Sequence, residues 1–250
     1  MDIYPAVPES MPESMPELNA PNYRIVVADD HPLFREAIVA VVRRTFAESE
    51  ILEATDLASL QALDLEDVDL LLLDLNMPGV HGLSGLVHVR AQAPAVAVIV
   101  VTAMDDAAVV QRAIGLGAAG FVPKSSNLSE ISKALETVLA GGISLPERFT
   151  NFALAPTKLS ETEISATRRI GTLTPQQFRI ATLLAAGMLN KQIAWDLGIA
   201  EATVKVHMST ILRKLNVRNR TQVALLIQVL DFEGLTGADV KLADEVVRAL

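Results

Sequence analysis

The sequence predicts an α/β domain with a five-stranded, doubly wound parallel sheet, followed by a smaller all-α domain of four helices. Three observations support this prediction. Apolar runs alternate with amphipathic helical stretches between residues 22 and 142, helical periodicity dominates after Gly171, and the two parts carry opposite charge. A chain of 250 residues is long enough for two such domains.

Short apolar runs mark the five predicted strands, because parallel strands buried on both faces are typically continuous in apolar residues. The stretches between the runs have helical periodicity, and right-handed crossovers would place helices on both faces of the sheet. The predicted strands contain residues 25–28, 51–52, 70–73, 96–101 and 120–122, and the predicted helices lie near 32–46, 57–65, 82–93, 106–116 and 127–140.

The remaining segments set the domain boundaries. Residues 1–21 are rich in proline and acidic residues and are predicted to be disordered, and residues 143–170 are predicted to be a linker. The all-α domain spans 171–230. Residues 231–250 form an extension with a predicted amphipathic helix at 238–250, which would either pack on the all-α domain or form a dimer contact.

The net charge of −9 hides an asymmetry between the two domains. Residues 22–140 contain 8 basic and 16 acidic residues, a balance of −8, whereas residues 171–230 contain 7 basic and 2 acidic residues, a balance of +5. The basic domain suits a nucleic-acid partner. The chain has no long apolar run, no basic leader followed by an apolar stretch and no cysteine, so we expect a cytoplasmic protein without a membrane partner.

Ligands of open α/β sheets bind beyond the carboxyl ends of the strands. Asp29 and Asp30 follow the first predicted strand, Asp74 the third, Thr102 the fourth and Lys124 the fifth. Each residue alone also fits a helix cap or a surface position, but the combination predicts a site. Clustered carboxylates need a nearby cation, so we predict Mg²⁺ as the cofactor. The set suits phosphoryl transfer to Asp74, with Lys124 neutralising charge and Thr102 donating a hydrogen bond.

Four stretches of this region resemble the receiver domains of NarL/FixJ-type response regulators, which have a flavodoxin-like fold. They are IVVADDHPLFRE (25–36), LLLDLNMPG (71–79), VTA (101–103) and GAAGFVPKSS (117–126). The resemblance covers residues 22 to about 142 and implies a sensor histidine kinase as partner.

The resemblance also implies roles for individual residues. Asp74 would accept the phosphoryl group and bind Mg²⁺ together with Asp30, with Asp29 through a water and with the backbone carbonyl of Asn76. Thr102 and Phe121 would form a switch pair, although a buried phenylalanine in a strand is also an ordinary core residue. His31 and Pro32 are expected only to shape the start of the first helix.

The all-α domain is predicted to contain a helix-turn-helix, in which the second helix of the motif enters the major groove. The candidate recognition helix is 201–215, where Val204, Met208, Ile211 and Leu215 recur at core spacing. A helical interaction domain would show similar periodicity. The predicted helices are 174–186, 189–197, 201–215 and 219–230, and the predicted DNA contacts are Lys191, Thr203, Lys205, Val206, Ser209, Arg213, Lys214, Arg218 and Arg220.

The stretches LTPQQ (173–177), LNKQIAWDLGIAEATVKVHMSTILRKL (189–215) and VRNRTQVA (217–224) resemble the LuxR-type DNA-binding domain. This resemblance implies binding to paired half-sites of double-stranded DNA, homodimerisation on phosphorylation, and RNA polymerase as a candidate partner. Gln177 replaces a glutamate common in the family, which predicts a different arrangement of its helix contacts. Ser209 replaces a longer basic side chain of some relatives.

Together these features predict a phosphorylation-controlled transcription factor rather than an enzyme. Phosphorylation would expose the face formed by the fourth helix, fifth strand and fifth helix, and dimerisation would follow. In one alternative the first domain is an unphosphorylated dimerisation module. In another the protein is a Mg²⁺-dependent hydrolase, but Asn76 stands where the second acid of such an enzyme is expected, and no substrate cap has an obvious place.

Overall fold

The computed structural model describes residues 22–150, 161–228 and 230. The first domain is a five-stranded parallel sheet in the order β2-β1-β3-β4-β5, which confirms the predicted α/β fold. Its strands are β1 (Arg24–Ala28), β2 (Glu50–Ala54), β3 (Leu70–Asp74), β4 (Ala97–Thr102) and β5 (Gly120–Pro123). Its helices are α1 (Pro32–Thr45), α2 (Leu57–Ala62), α3 (Ser84–Gln92), α4 (Ala107–Gly115) and α5 (Leu128–Leu139).

Two apolar layers enclose this sheet. Alternate side chains of each strand point to opposite faces, so that Leu71 and Leu73 pack with α2, α3 and α4, whereas Leu70 and Leu72 pack with α1 and α5. All strands run in the same direction, so their carboxyl ends lie at one edge. The residues that follow the strands are therefore brought together at this edge.

The first part of the predicted linker lies along the outer edge of β5. The Phe121 N–H donates to the Ser144 carbonyl at 2.9 Å, and the Ser144 N–H donates to the Ala119 carbonyl at 3.1 Å. A short 3₁₀ helix, Glu147–Phe149, follows and buries Phe149. Arg148 forms an ion pair with Asp105 in the loop after β4. This part of the linker is thus attached to the first domain.

The second domain contains the four predicted helices, preceded by a helix within the predicted linker. The buried positions predicted for the recognition helix are confirmed, since Val204, Met208, Ile211 and Leu215 all lie in the core. Gly198 ends one helix with a left-handed φ of 63°, a conformation that glycine adopts without strain. The helices are α6 (Glu161–Ile170), α7 (Pro175–Ala185), α8 (Asn190–Leu197), α9 (Glu201–Lys214) and α10 (Arg220–Gln228).

The second domain docks on α2 and α3 of the first. The ring of His88 stacks on that of Phe178, with centroids 4.1 Å apart and planes at 6°. The Gln61 side chain donates to the Pro175 carbonyl at 3.1 Å. At the other end of α3, the Leu83 N–H donates to the carbonyl of Leu230 at 2.8 Å. The apolar layer on this face of the sheet therefore continues into the second domain.

Three predicted segments lie wholly or partly outside the described residues. They are the N-terminal tail 1–21, the linker segment 151–160 and the extension 231–250, where a helix is predicted at 238–250. Within the described part of the chain, no helix combines the length and apolar character required to cross a bilayer.

Candidate functional site

The sheet edge brings together the carboxylates and the lysine predicted from the sequence. Asp29 and Asp30 follow β1, and Asp74 ends β3. The Lys124 ammonium, which follows β5, lies 2.8 Å from Asp29 Oδ2 and 2.9 Å from Asp74 Oδ2. Thr102 ends β4 and is fully buried, and its hydroxyl oxygen accepts a hydrogen bond from the Met104 N–H at 3.1 Å.

Burial and the neighbouring lysine act in opposite directions on Asp74, whose side chain is only 1% exposed. Burial is the larger effect and raises the pKa of Asp74, while Lys124 and the Asn76 N–H partly offset it. Burial alone would lower the pKa of Lys124, but its contacts with Asp29 and Asp74 outweigh burial and raise it. Lys124 thus remains a fixed positive charge beside a buried carboxylate.

The acidic residues also fit a divalent cation. Asp29, Asp30, His31 and Asp74 each place one ligand atom so that the four atoms lie within 4.8 Å of one another. Asp30 Oδ1 is a buried atom without a hydrogen-bond partner in the described part of the chain. Because hard cations such as Mg²⁺ bind carboxylate oxygens, this donor set suits the predicted cofactor.

His31 lies in the acidic cluster, a placement that the sequence interpretation did not include. As predicted, it precedes the first helix as its N-cap, with Pro32 at the first helical position. Its ring, however, turns into the acidic cluster, where Nδ1 lies 2.7 Å from Asp30 Oδ1 and 3.2 Å from the Lys124 ammonium. Its position directly after two aspartates was the only available sequence signal, since the direction of the ring depends on the rotamer.

The two residues of the predicted switch pair are both buried in neighbouring strands. The Lys124 N–H donates to the Thr102 carbonyl at 2.8 Å, which connects the end of β4 to the segment after β5. Phe121 is buried within β5, and its backbone N–H bonds Ser144 of the linker. A change near Thr102 would therefore be adjacent to the segment that leads to the second domain.

In the second domain, α9 presents a polar face to solvent. Thr203, Lys205, Val206 and Ser209 are all exposed, with Val206 at 66%. The Lys205 ammonium lies 2.8 Å from the carboxylate of Glu201 one turn earlier, and this contact lowers the pKa of Glu201. The helix predicted to read DNA is therefore accessible in the docked arrangement.

The basic residues predicted to contact phosphates fall into two groups. Lys191, Arg213 and Arg218 are exposed. The Lys214 ammonium instead donates to the Thr172 carbonyl at 2.7 Å, and the Arg220 guanidinium donates to the Met188 carbonyl at 2.9 Å. Those two side chains stabilise the domain through contacts that the sequence pattern did not indicate.

Gln177 is almost fully buried and completes the N-terminal cap of α7. Its side-chain oxygen accepts from the Thr174 N–H at 3.2 Å, and its own N–H donates to the Thr174 hydroxyl at 3.4 Å. The glutamine can therefore act as the second residue of a capping box.

Comparison with known proteins identifies the family. Residues 25–136 match the family described as the response regulator receiver domain, and residues 171–227 match the LuxR family of bacterial regulatory proteins. A glycerol metabolism activator from Pseudomonas putida is 45% identical over 214 residues, which cover 84% of this chain and 97% of that protein. The chain belongs to the response regulators with a LuxR-type DNA-binding domain. The family is one of DNA-binding transcriptional regulators rather than enzymes.

Other relatives of this response regulator have related descriptions. The nitrate/nitrite response regulator protein NarP from Escherichia coli K12 is 34% identical, and the alignment covers 83% of this chain and 95% of NarP. A solved structure of RcsB from Salmonella enterica serovar Typhimurium, bound to the promoter rprA in the presence of phosphomimetic BeF₃⁻, is 24% identical with a TM-score of 0.47. That alignment covers 82% of this chain and 98% of RcsB.

Proposed function

We propose that this response regulator accepts a phosphoryl group on Asp74 from a sensor histidine kinase. The observation that carries the proposal is the buried Asp74 carboxylate, which lies 2.9 Å from the Lys124 ammonium and beside two further aspartates. Burial keeps competing water away, while the cations neutralise the charge of an incoming phosphoryl group. Asp29, Asp30, Asp74 and the Asn76 carbonyl would hold Mg²⁺, which supplies further charge neutralisation at the phosphoryl oxygens.

The proposed transfer balances without an added reactant. The N–P bond of the phosphohistidine breaks as an oxygen of Asp74 forms a new O–P bond, and the electron pair of the broken bond stays with the imidazole. Lys124 would pair with a phosphoryl oxygen, and the Thr102 hydroxyl would donate to another. Movement of Thr102 would then be transmitted to Phe121 through the packing of β4 on β5.

The test is acyl phosphate formation on the purified chain with a small phosphodonor and Mg²⁺. Wild type should gain one acid-labile phosphate, and Asp74→Asn should gain none, because an amide is a poor nucleophile. Asp67→Asn removes an exposed carboxylate before β3 and should behave as wild type. Undiminished labelling of Asp74→Asn would rule out the proposed acceptor, and no labelling of wild type would favour an unphosphorylated dimerisation module.

We further propose that the exposed face of α9 reads DNA. Lys205, Val206, Ser209 and Thr203 would contact base edges or nearby phosphates, and Lys191, Arg213 and Arg218 would bind the phosphate backbone. Footprinting across a genome, with wild type and Asp74→Ala, would give the operator and its dependence on phosphate. Because the Pseudomonas putida relative is a glycerol metabolism activator, we expect occupied promoters to be activated.

The other proposed partners follow from the same architecture. A homodimer on phosphorylation would place two α9 helices on paired half-sites. RNA polymerase is a candidate partner for the exposed side of α8, where Trp195 is 90% exposed. We also propose a cytoplasmic location, where both DNA and a kinase domain are available.

A further inference from the structure

We propose that His31 is a ligand in the metal site, and that it gives the site a preference for borderline divalent transition ions such as Co²⁺ over Mg²⁺. This inference deepens the proposed function, since it concerns the cation that would assist phosphorylation of Asp74. The ligand set assigned above from the sequence contains only oxygen atoms and does not include this histidine.

The hydrogen bond from Lys124 shows how the imidazole is oriented. The Lys124 ammonium lies 3.2 Å from Nδ1 of His31, and because an ammonium has donors only, this contact is a hydrogen bond in the tautomer that carries its proton on Nε2. The Nδ1 atom faces the interior of the cluster, where this tautomer presents a lone pair. A histidine that binds a metal ion through Nδ1 needs this orientation. The side chain is 63% exposed, which leaves room for the ring to rotate toward an ion.

A second observation comes from Asp30. Its Oδ1 atom is buried and forms no hydrogen bond with any described residue, although Nδ1 of His31 lies only 2.7 Å away. In the Nε2–H tautomer, two electron-rich atoms are thus held close together. A cation bound to both atoms would remove this repulsion and satisfy the buried oxygen.

The spacing between the donor atoms fits one shared ion. Nδ1 lies 2.7 Å from Asp30 Oδ1, 3.3 Å from Asp29 Oδ1 and 4.0 Å from Asp74 Oδ2. Adjacent ligands of a six-coordinate ion with bonds of about 2.1 Å are separated by about 3 Å, and opposite ligands by about 4.2 Å. The Lys124 ammonium contacts Asp29, Asp74 and His31 in the same cluster.

The chemistry of the donor predicts the selectivity. Mg²⁺ prefers oxygen ligands, whereas imidazole nitrogen suits later divalent ions such as Co²⁺, Ni²⁺ and Zn²⁺. A site with three carboxylates and one imidazole would bind both classes, and its transition-ion preference would depend on His31.

The experiment measures binding of Co²⁺ and Mg²⁺ to the full chain by calorimetry, together with the proton NMR spectrum of the Co²⁺ form. His31→Ala should weaken Co²⁺ binding at least tenfold and Mg²⁺ binding less than threefold. Wild type should show a strongly shifted, exchangeable imidazole N–H signal that is absent from His31→Ala. His81→Ala removes a histidine outside the cluster and should retain both the signal and the affinities.

His31→Asn separates ligation from folding damage. Its amide oxygen is a hard donor, so Mg²⁺ affinity should stay within threefold of wild type while Co²⁺ affinity remains low. Equal effects of His31→Ala on both ions, recovery of Co²⁺ affinity in His31→Asn, or a shifted imidazole signal that persists in His31→Ala would overturn the inference. The labelling of Asp74 in Mg²⁺ is a separate measurement, so failure of the proposed phosphorylation would be recognised independently.

Discussion

Lys124 is the residue on which the charge balance of the acidic cluster depends. Its ammonium contacts two buried carboxylates and lies 5.2 Å from the centroid of the Phe34 ring, so it is held on several sides. A carboxylate as buried as Asp74 is costly to keep ionised without such a partner. One side chain therefore preserves the negative charge that Asp74 needs for its proposed role as nucleophile.

Replacing Lys124 with methionine should raise the pKa of Asp74 further, because the lowering effect of the ammonium is lost while burial remains. Labelling with a small phosphodonor should slow at least tenfold at neutral pH. The Asp74 pKa can be followed by the side-chain carbon chemical shift. Lys133→Met removes a lysine from α5 outside the cluster, and an equal loss of labelling in that variant would contradict the explanation.

His88 provides a second prediction at the residue scale. Burial disfavours its charged form and lowers its pKa to about 4, from an ordinary value of 6.5. The unfolded chain takes up a proton near pH 6.5, but the folded chain does so only near pH 4. The free energy of unfolding should therefore fall as the pH decreases from about 6.5 to 4, by on the order of 3 kcal/mol from this group.

Urea denaturation of wild type and His88→Phe across this pH range would measure the contribution of His88. The phenylalanine can stack on Phe178 but cannot titrate, so the variant should lose less stability on acidification. The carboxylates titrate in both proteins, and the difference between the two curves isolates His88. Parallel curves would show that this histidine is not the cause.

At the scale of elements, α7 shows how local sequence determines where a helix begins. Thr174 and Gln177 exchange hydrogen bonds as a capping box, and Pro175 occupies the first helical position, where a missing N–H costs nothing. The same helix carries Phe178 into the contact with His88. Its N-terminal cap therefore supports both the second domain and the docking surface.

Thr174→Ala should lower the free energy of unfolding by about 1 kcal/mol, because it leaves the Gln177 N–H without its cap. Chemical denaturation monitored by circular dichroism measures this change. Ser209→Ala provides the control: Ser209 has an exposed hydroxyl in α9 that donates to the Lys205 carbonyl of its own helix. Its removal should change stability by less than 0.5 kcal/mol, roughly the size of a neutral surface change.

The elements themselves were largely predictable, because hydrophobic periodicity and capping residues act locally. The predicted helix at 201–215 and the observed α9 differ by one residue. The polar sequence of Glu161–Ile170 predicts a linker. The helix observed there depends on the burial of Ala166 and Ile170 against other elements. Other features depend on contacts between residues far apart in the sequence, which no local pattern predicts. They are the inward direction of the His31 ring and the carbonyl contacts of Lys214 and Arg220.

At the scale of the whole molecule, the two domains approach closely. A β-carbon added at Gly171 would lie 3.0 Å from the β-carbon of Ala91 on α3, closer than such atoms normally approach. The absence of a side chain at Gly171 thus permits the docked arrangement.

Gly171→Leu should separate the domains, because the larger side chain would collide with α3. Small-angle X-ray scattering should show a larger radius of gyration than for wild type, while circular dichroism should show unchanged helix content. Ala47→Leu adds a similar side chain at an exposed position after α1 and should leave the scattering unchanged. An unaltered radius of gyration for Gly171→Leu would mean that close contact at Gly171 is not required for the domains to dock.

The exposed face of α9 has a consequence for how a signal would act on this molecule. In the docked arrangement Lys205 and Val206 already face solvent, so the proposed DNA-reading face would be accessible before any phosphoryl group arrives. Separation of the two domains would then alter the distance between half-sites that two copies of the chain can span. It would not alter the affinity of each copy for a single half-site. Phosphorylation should therefore make the DNA-binding curve steeper on tandem half-sites. The dissociation constant for an isolated half-site should stay unchanged.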